Sequence, residues 1–286
     1  MSGSGLRLGY NTNGFAHHRL DDALHILAEL GYRAVALTPD VHHLPPFETT
    51  AAELRSYRQL LERLDLSMVV ETGARYVLDA RRKHRPNLLE GDAAGRARRL
   101  EFLVRCAEFT AELGGSTVSI WSGARPQEIS TKDAWNFLVE GVEQLCGRAA
   151  PLGVRVAFEP EPGMFVETLE EWEALRGAID APNLSLTLDV GHVPCTERIT
   201  PAEAIRLHAE ELLNVHLDDC RGGVHEHLQI GEGELDWGEI TRALEGVGFA
   251  GIAAFELSRH SHAAPEAARE ALLRFSRYFN SSAATI

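Results

Sequence analysis

The sequence predicts an α/β protein built as a single (β/α)8 barrel, with its site at the C-terminal ends of the strands. Three observations point there. Short β-branched, apolar stretches alternate with longer segments whose apolar residues recur at helical spacing, the pattern of repeated βα units. Eight such strands can be counted without a Gly/Ser/Pro-rich linker among them, which favours a closed ring over a doubly wound sheet with a small extra domain. A length of 286 residues suits one large core. The expected domain therefore spans residues 1–286, with residues 1–5 (MSGSG) read as flexible.

In chain order the strands are LRLGYNTN (6–13), RAVALTP (33–39), SMVVETG (67–73), STVSIWSG (116–123), RVAFEPEP (155–162), LSLTLDVGH (184–192), LLNVHLDD (212–219) and GIAAFELS (251–258). Each is short and rich in β-branched or alternating apolar residues. Helical spacing predicts helices over about 20–30, 49–64, 93–113, 130–150, 168–180, 200–211, 236–246 and 264–279. Punctuation agrees with periodicity. TLEE from Thr168 and TPAE from Thr200 are capping-box signatures, a threonine oxygen for the first-turn amides with a glutamate three residues on. Gly31, Gly114, Gly153 and Gly248 fall between a helix and a strand, where a left-handed residue ends the helix. The irregular stretches 40–48, 74–92 and 220–235 each follow a strand, which assigns them to the face where a barrel carries its site.

Charge and cysteine usage narrow the function. A formal net charge of −14 disfavours nucleic acid and anionic membranes, which need a positive face to displace counterions. Cys106, Cys146, Cys195 and Cys220 show no CxxC spacing and read as reduced thiols of a cytoplasmic protein. No run of eighteen apolar residues and no basic-then-apolar leader occurs, so neither a membrane span nor secretion is expected.

Four consecutive strands end in a residue able to bind a metal: Glu159 in AFEPEP, Asp189 in TLDVGH, His216 in NVHLDD and Glu256 in AFELS. Any one alone reads as a helix cap, a loop acceptor or a satisfied core histidine. Parallel barrel strands bring all four to one rim, and a divalent cation would compensate an aspartate driven to the tip of an apolar strand. Three carboxylates and an imidazole suit Mn²⁺ first, with Mg²⁺, Co²⁺ or Zn²⁺ acceptable, and one ion is expected.

With FEPEPG, LDVGH, NVHLDD, HLQIGEGELDW and FELS in this order, the chain resembles the xylose-isomerase-like TIM-barrel superfamily, which includes sugar isomerases and epimerases, inosose dehydratase and endonuclease IV. The resemblance implies that Glu159, Asp189, His216 and Glu256 are ligands of one ion. It also implies that Glu159 and Glu256 are the catalytic acid and base pair, moving a proton beside a carbonyl through an enediolate. His192 resembles the family histidine that contacts substrate, or else it orients Asp189. Arg221, His227, Glu161 and Trp121 are further substrate-binding candidates, and Glu71 and Tyr10 occupy strand ends where core packing is the simpler reading.

The histidines of HEHLQIGEG raise the hydrolytic alternative. His225 and His227 match positions where endonuclease IV holds additional zinc ions, and with His192 they could support a second metal. Histidine is missing from the ends of strands two and three, and His42 and His43 are expected to face solvent in their loop. The expectation is a metal-dependent isomerase or epimerase of a small polyhydroxylated substrate, and the resemblance implies a homo-oligomer, the common state in the superfamily. A lyase is the alternative, because dehydration starts from the same proton abstraction.

Overall fold

The computed structural model describes residues 6–73 and 75–278, and the expectation for residues 1–5 lies outside them. In order the chain forms β1 (Arg7–Asn11), α1 (Leu20–Leu30), β2 (Ala34–Leu37), α2 (Ala51–Arg63), β3 (Ser67–Glu71), α3 (Ala93–Glu112), β4 (Thr117–Ile120) and α4 (Thr131–Ala149). It continues with β5 (Arg155–Phe158), α5 (Leu169–Ala178), β6 (Leu184–Asp189), α6 (Val193–Thr196), α7 (Pro201–Leu207), β7 (Leu212–Leu217), β8 (Asp219–Arg221), β9 (Val224–Leu228), α8 (Trp237–Gly246), β10 (Ile252–Phe255) and α9 (Ala264–Phe275). Eight strands close into a barrel in the order β1-β10-β7-β6-β5-β4-β3-β2, and β8 with β9 makes a separate two-stranded sheet. This is the predicted (β/α)8 architecture.

Internal contacts group the chain into two units, Met1–Leu37 with Leu60–Met68 and Leu186–Ile286, and Thr38–Gln59 with Val69–Ser185. In the first, parallel pairing sets Asp189 beside His216 on β6 and β7, and Phe255 beside Leu217 on β10 and β7. Glu256, the residue after β10, donates its amide to Leu217 O at 3.1 Å. Asp189 and His216 thus share one level of the sheet, and Glu256 stands two residues beyond Ala254, the partner of His216. Beneath them Tyr10, Phe15, Tyr32, Phe255 and Phe275 are fully buried and meet edge to face, with centroids 5.4 Å apart for Tyr10 and Phe15. Such contacts add about 0.5–1.5 kcal/mol per pair beyond area burial. In the second unit Glu71 pairs with Ser119 and Ile120 with Phe158, and the Glu159 amide donates to Ile120 O at 2.8 Å.

The caps follow the sequence. Thr168 and Thr200 both complete capping boxes, and Gly31 ends α1 at φ 102°, where a side chain would strain the left-handed turn. Three expectations need correction. Residues 220–235 are not wholly irregular, because β8 and β9 form an antiparallel hairpin across Gly222 and Gly223, whose φ values of 60° and 68° are those a two-residue turn demands. The RGGV signal lay outside the βα alternation and so was overlooked. The helix expected over 200–211 stops at Leu207, where the amides of Glu211 and Leu212 both turn back to His208 O and lead the chain into β7. His43 is buried rather than solvent-facing, drawn in by an antiparallel bridge to Asp40.

Candidate metal centre

Asp189 ends the wholly buried strand β6 and is 1% exposed. Its Oδ1 accepts from the amides of Gly191 at 2.7 Å and His192 at 3.3 Å, so the turn that follows the strand supplies half of what desolvation removes. Its Oδ2 is buried and meets no hydrogen-bond donor, lying 3.5 Å from His192 Nε2 and 4.0 Å from His216 Nδ1. Burial raises the Asp189 pKa, yet the surrounding histidines, His192 first, outweigh it and hold the carboxyl below its ordinary value.

His216 and Glu256 face each other, Nδ1 to Oε2 at 2.9 Å, while Asn13 Nδ2 donates to Glu256 Oε1 at 2.7 Å. Burial works against the Glu256 charge, but the His216 contact prevails and holds the carboxyl well below the usual carboxylate range. Asn214 Nδ2 lies 3.2 Å from His216 Nε2, so the amide fixes how the ring sits. Asn13 lies in a 3-10 turn (Thr12–Phe15) directly after β1, where strand was expected through residue 13, and Asn11, the last residue of β1, caps the turn by accepting from the Asn13 amide at 3.1 Å.

Glu159, from the second unit, is 6% exposed. Within the first unit Asp189, His216 and Glu256 can each offer one ligand atom, and these atoms lie within 4.8 Å of one another. The donor set and the donorless Asp189 Oδ2 fit a divalent ion.

A second polar cluster adjoins the first. His227 Nδ1 pairs with Asp218, whose carboxyl is raised well above its ordinary value by burial and by the Asp189 charge. Burial disfavours the His227 cation, but Asp218 outweighs it and pushes the imidazole up to about 10. His225 Nε2 stands 3.1 Å from His192 Nε2 and 2.8 Å from His227 Nε2, and burial with those two neighbours lowers its pKa to about 3. His192, His225 and His227 also place three ring nitrogens within 4.8 Å of one another. Gly191 makes this approach possible, since a Cβ there would collide with Asp218 Oδ1.

Of the other candidates, Trp121 is 6% exposed at the end of β4. Glu161 is half-buried in the loop after β5, its amide donating to Val166 O at 3.2 Å. Arg221 is exposed and its guanidinium binds Glu232 O, bracing the hairpin's return loop. Glu71 and Tyr10 are both buried, Tyr10 within the aromatic core. Asn13 and Asp218 were missed, because each works through a partner distant in sequence. Asp218 carried a readable hint, an acid directly after the NVHL apolar run.

Residues 24–278 match the sequence profile of the xylose isomerase-like TIM barrel family, and the chain belongs to that family. Among solved structures it is similar to D-psicose 3-epimerase of Clostridium cellulolyticum H10 with D-tagatose, at TM-score 0.77 and 18% identity, covering 95% of this chain and 98% of that one. It is similarly close to the IOLI protein with a binding zinc atom, at TM-score 0.77 and 19% identity over 96% and 99% of the two chains. These likenesses show the fold. The inosose dehydratase of Geobacillus thermodenitrificans is 24% identical over 140 residues, 43% of this chain and 47% of the relative, so the chain spans under half the length of this curated relative. Among the described residues no helix is long and apolar enough to cross a membrane.

Proposed function

We propose that this chain is a divalent-metal-dependent enzyme that epimerises or isomerises a small polyhydroxylated carbonyl compound by moving a proton at the carbon next to the carbonyl. The observation that carries the reading is the convergence of the Asp189, His216 and Glu256 ligand atoms within 4.8 Å of one another. With Glu159 they would hold one ion, Mn²⁺ first among the candidates. A bound divalent ion supplies Lewis acidity, making the C–H beside the carbonyl more acidic and stabilising the oxygen charge that develops.

The protein's own groups supply the rest. Glu159 and Glu256 share the proton work, one taking it from the carbon and the other returning it on the opposite face. Asn13 fixes Glu256 Oε1, which leaves the carboxylate one defined orientation. His192 and the His225–His227 hairpin bring imidazoles toward hydroxyls of the substrate. The epimerase and dehydratase relatives support this class of chemistry.

The test is solvent exchange. With one ion per chain, deuterium from heavy water enters the carbon beside the carbonyl of an accepted ketose, and chelation stops it. A panel of ketoses and inososes showing no exchange in the metal-replete protein would overturn the reading. Loss of water from an inosose in the same panel would assign the lyase instead. The three convergent nitrogens of His192, His225 and His227 favour a second reading, phosphoester hydrolysis with additional ions. Two or three zinc ions per chain, with release of phosphate from a phosphoester, would establish it.

A further inference from the structure

We propose that Arg99 anchors a carboxylate carried by the substrate. The inference deepens the proposed function by naming a charged group on the substrate, and it rests on that reading for the neighbouring chemistry.

Arg99 lies on the inward face of α3 and is 2% exposed. Helical side chains lean toward the N-terminus, which lifts its guanidinium to the ends of the adjacent strands. Nη2 donates to Thr72 O, just past β3, at 3.2 Å. The guanidinium carbon is 5.3 Å from the ring centre of Trp121, just past β4, and 5.0 Å from that of Phe102. Nη1 is buried with no partner, and no Asp or Glu side chain pairs with the cation among the described residues. Burial pulls its pKa down to about 10.

Packing alone does not explain such a residue. A methionine or leucine would fill the space between Phe102 and Trp121 without the cost of an unpaired buried charge. An anion brought by a ligand restores the balance, and a carboxylate offers the planar oxygens that suit a guanidinium edge. With Nη2 already engaged, Nη1 is the donor left for one carboxylate oxygen.

The surroundings agree independently. The segment from Arg75 to Arg99 contains eight Arg and Lys against three Asp and Glu, in a chain whose net charge is −14. A locally positive segment on an acidic protein steers anions to one place. The subsite also lies beside the proposed reaction centre, because Glu159 bonds through its amide to Ile120, the residue before Trp121. His84, at left-handed φ 62°, packs edge-on to Trp121 at 5.0 Å, and burial, then the charges of Lys83 and Arg99, lower its pKa to about 4. Entry of the carboxylate requires neighbouring side chains to yield, since Nη1 is buried.

The experiment measures thermal stability of the whole chain, metal-loaded and chelated, against D-glucuronate, D-glucose and D-glucose 6-phosphate. Wild type is expected to gain stability saturably with glucuronate and not with glucose. Arg99→Met is expected to keep the wild-type metal content, to melt no lower than wild type without ligand, and to bind glucuronate at least tenfold more weakly. Should Arg99→Met fail to fold, Arg99→Lys keeps the charge without the planar fork, and the same tenfold loss is expected.

An equal glucuronate response in wild type and either folded variant would overturn the proposal, as would no response in wild type. A response to the phosphate alone would overturn the carboxylate assignment. Arg99-dependent binding that persists in a chain holding no ion would count against the metal reading only, whereas a metal-replete chain indifferent to Arg99 would count against this proposal only.

Discussion

Asp189→Asn separates the two duties of the residue at the tip of β6. Asparagine keeps an oxygen for the Gly191 and His192 amides, which Asp189 Oδ1 accepts at 2.7 and 3.3 Å. It replaces the donorless Oδ2 by an amide nitrogen that cannot ligate an ion. The metal-free variant should therefore stay within about 1 kcal/mol of wild type, its lost charge being offset by relief of the repulsion that raises the Asp218 pKa. The metal-linked part should vanish. An ion at a hundred times its Kd stabilises the native state by about 2.7 kcal/mol. At about 2 °C per kcal/mol for a chain of this size, wild type should gain roughly 5 °C in Tm on Mn²⁺ addition and Asp189→Asn less than about 1 °C. Calorimetric melts with and without chelator, together with metal analysis, give both numbers. An unchanged metal-dependent gain in the variant would refute the ligand assignment. A metal-free melting point many degrees lower would show instead that Asp189 is chiefly structural.

The remaining predictions concern its neighbours. Gly191→Ala should lower stability by roughly 2 kcal/mol or more, because its Cβ would meet the buried Asp218 carboxylate; urea unfolding with unaltered stability would show that the turn can yield. Asn13→Ala removes the 2.7 Å bond to an ionised Glu256 and should cost about 1.5–3 kcal/mol at pH 7. Since that carboxyl is depressed below its ordinary 4.5, the bond's contribution is present above pH 4.5, and the gap between variant and wild type should close as pH falls further. For His227 the sign reverses. Its pKa rises from 6.5 to about 10, so its stabilisation is complete below pH 6.5 and is lost as pH climbs toward 10. His227→Gln should cost on the order of 3 kcal/mol at pH 6 and progressively less above pH 8, read from denaturant melts across that range.

The barrel was legible because it repeats. Each βα unit carries local signals, an apolar run of period two, a helical stripe and a threonine or glycine at its boundary, and eight consistent copies outweigh the ambiguity of any one. Strand order alone then brought Glu159, Asp189, His216 and Glu256 to consecutive strand ends. The Gly222–Gly223 hairpin was equally local in its chemistry but stands outside the repeat, so a search for alternation passed over it.

What sequence by itself determined was therefore the architecture and the candidate donors at its rim, since both follow from backbone period and residue type. Tertiary structure decided the partnerships: Asn13 with Glu256 across 243 positions, Asp218 with His227, and Arg99 between Phe102 and Trp121 with no acid to meet it among the described residues. Charge, burial and hydrogen bonding depend on through-space distances of a few ångströms, and those distances exist only once the chain has closed upon itself.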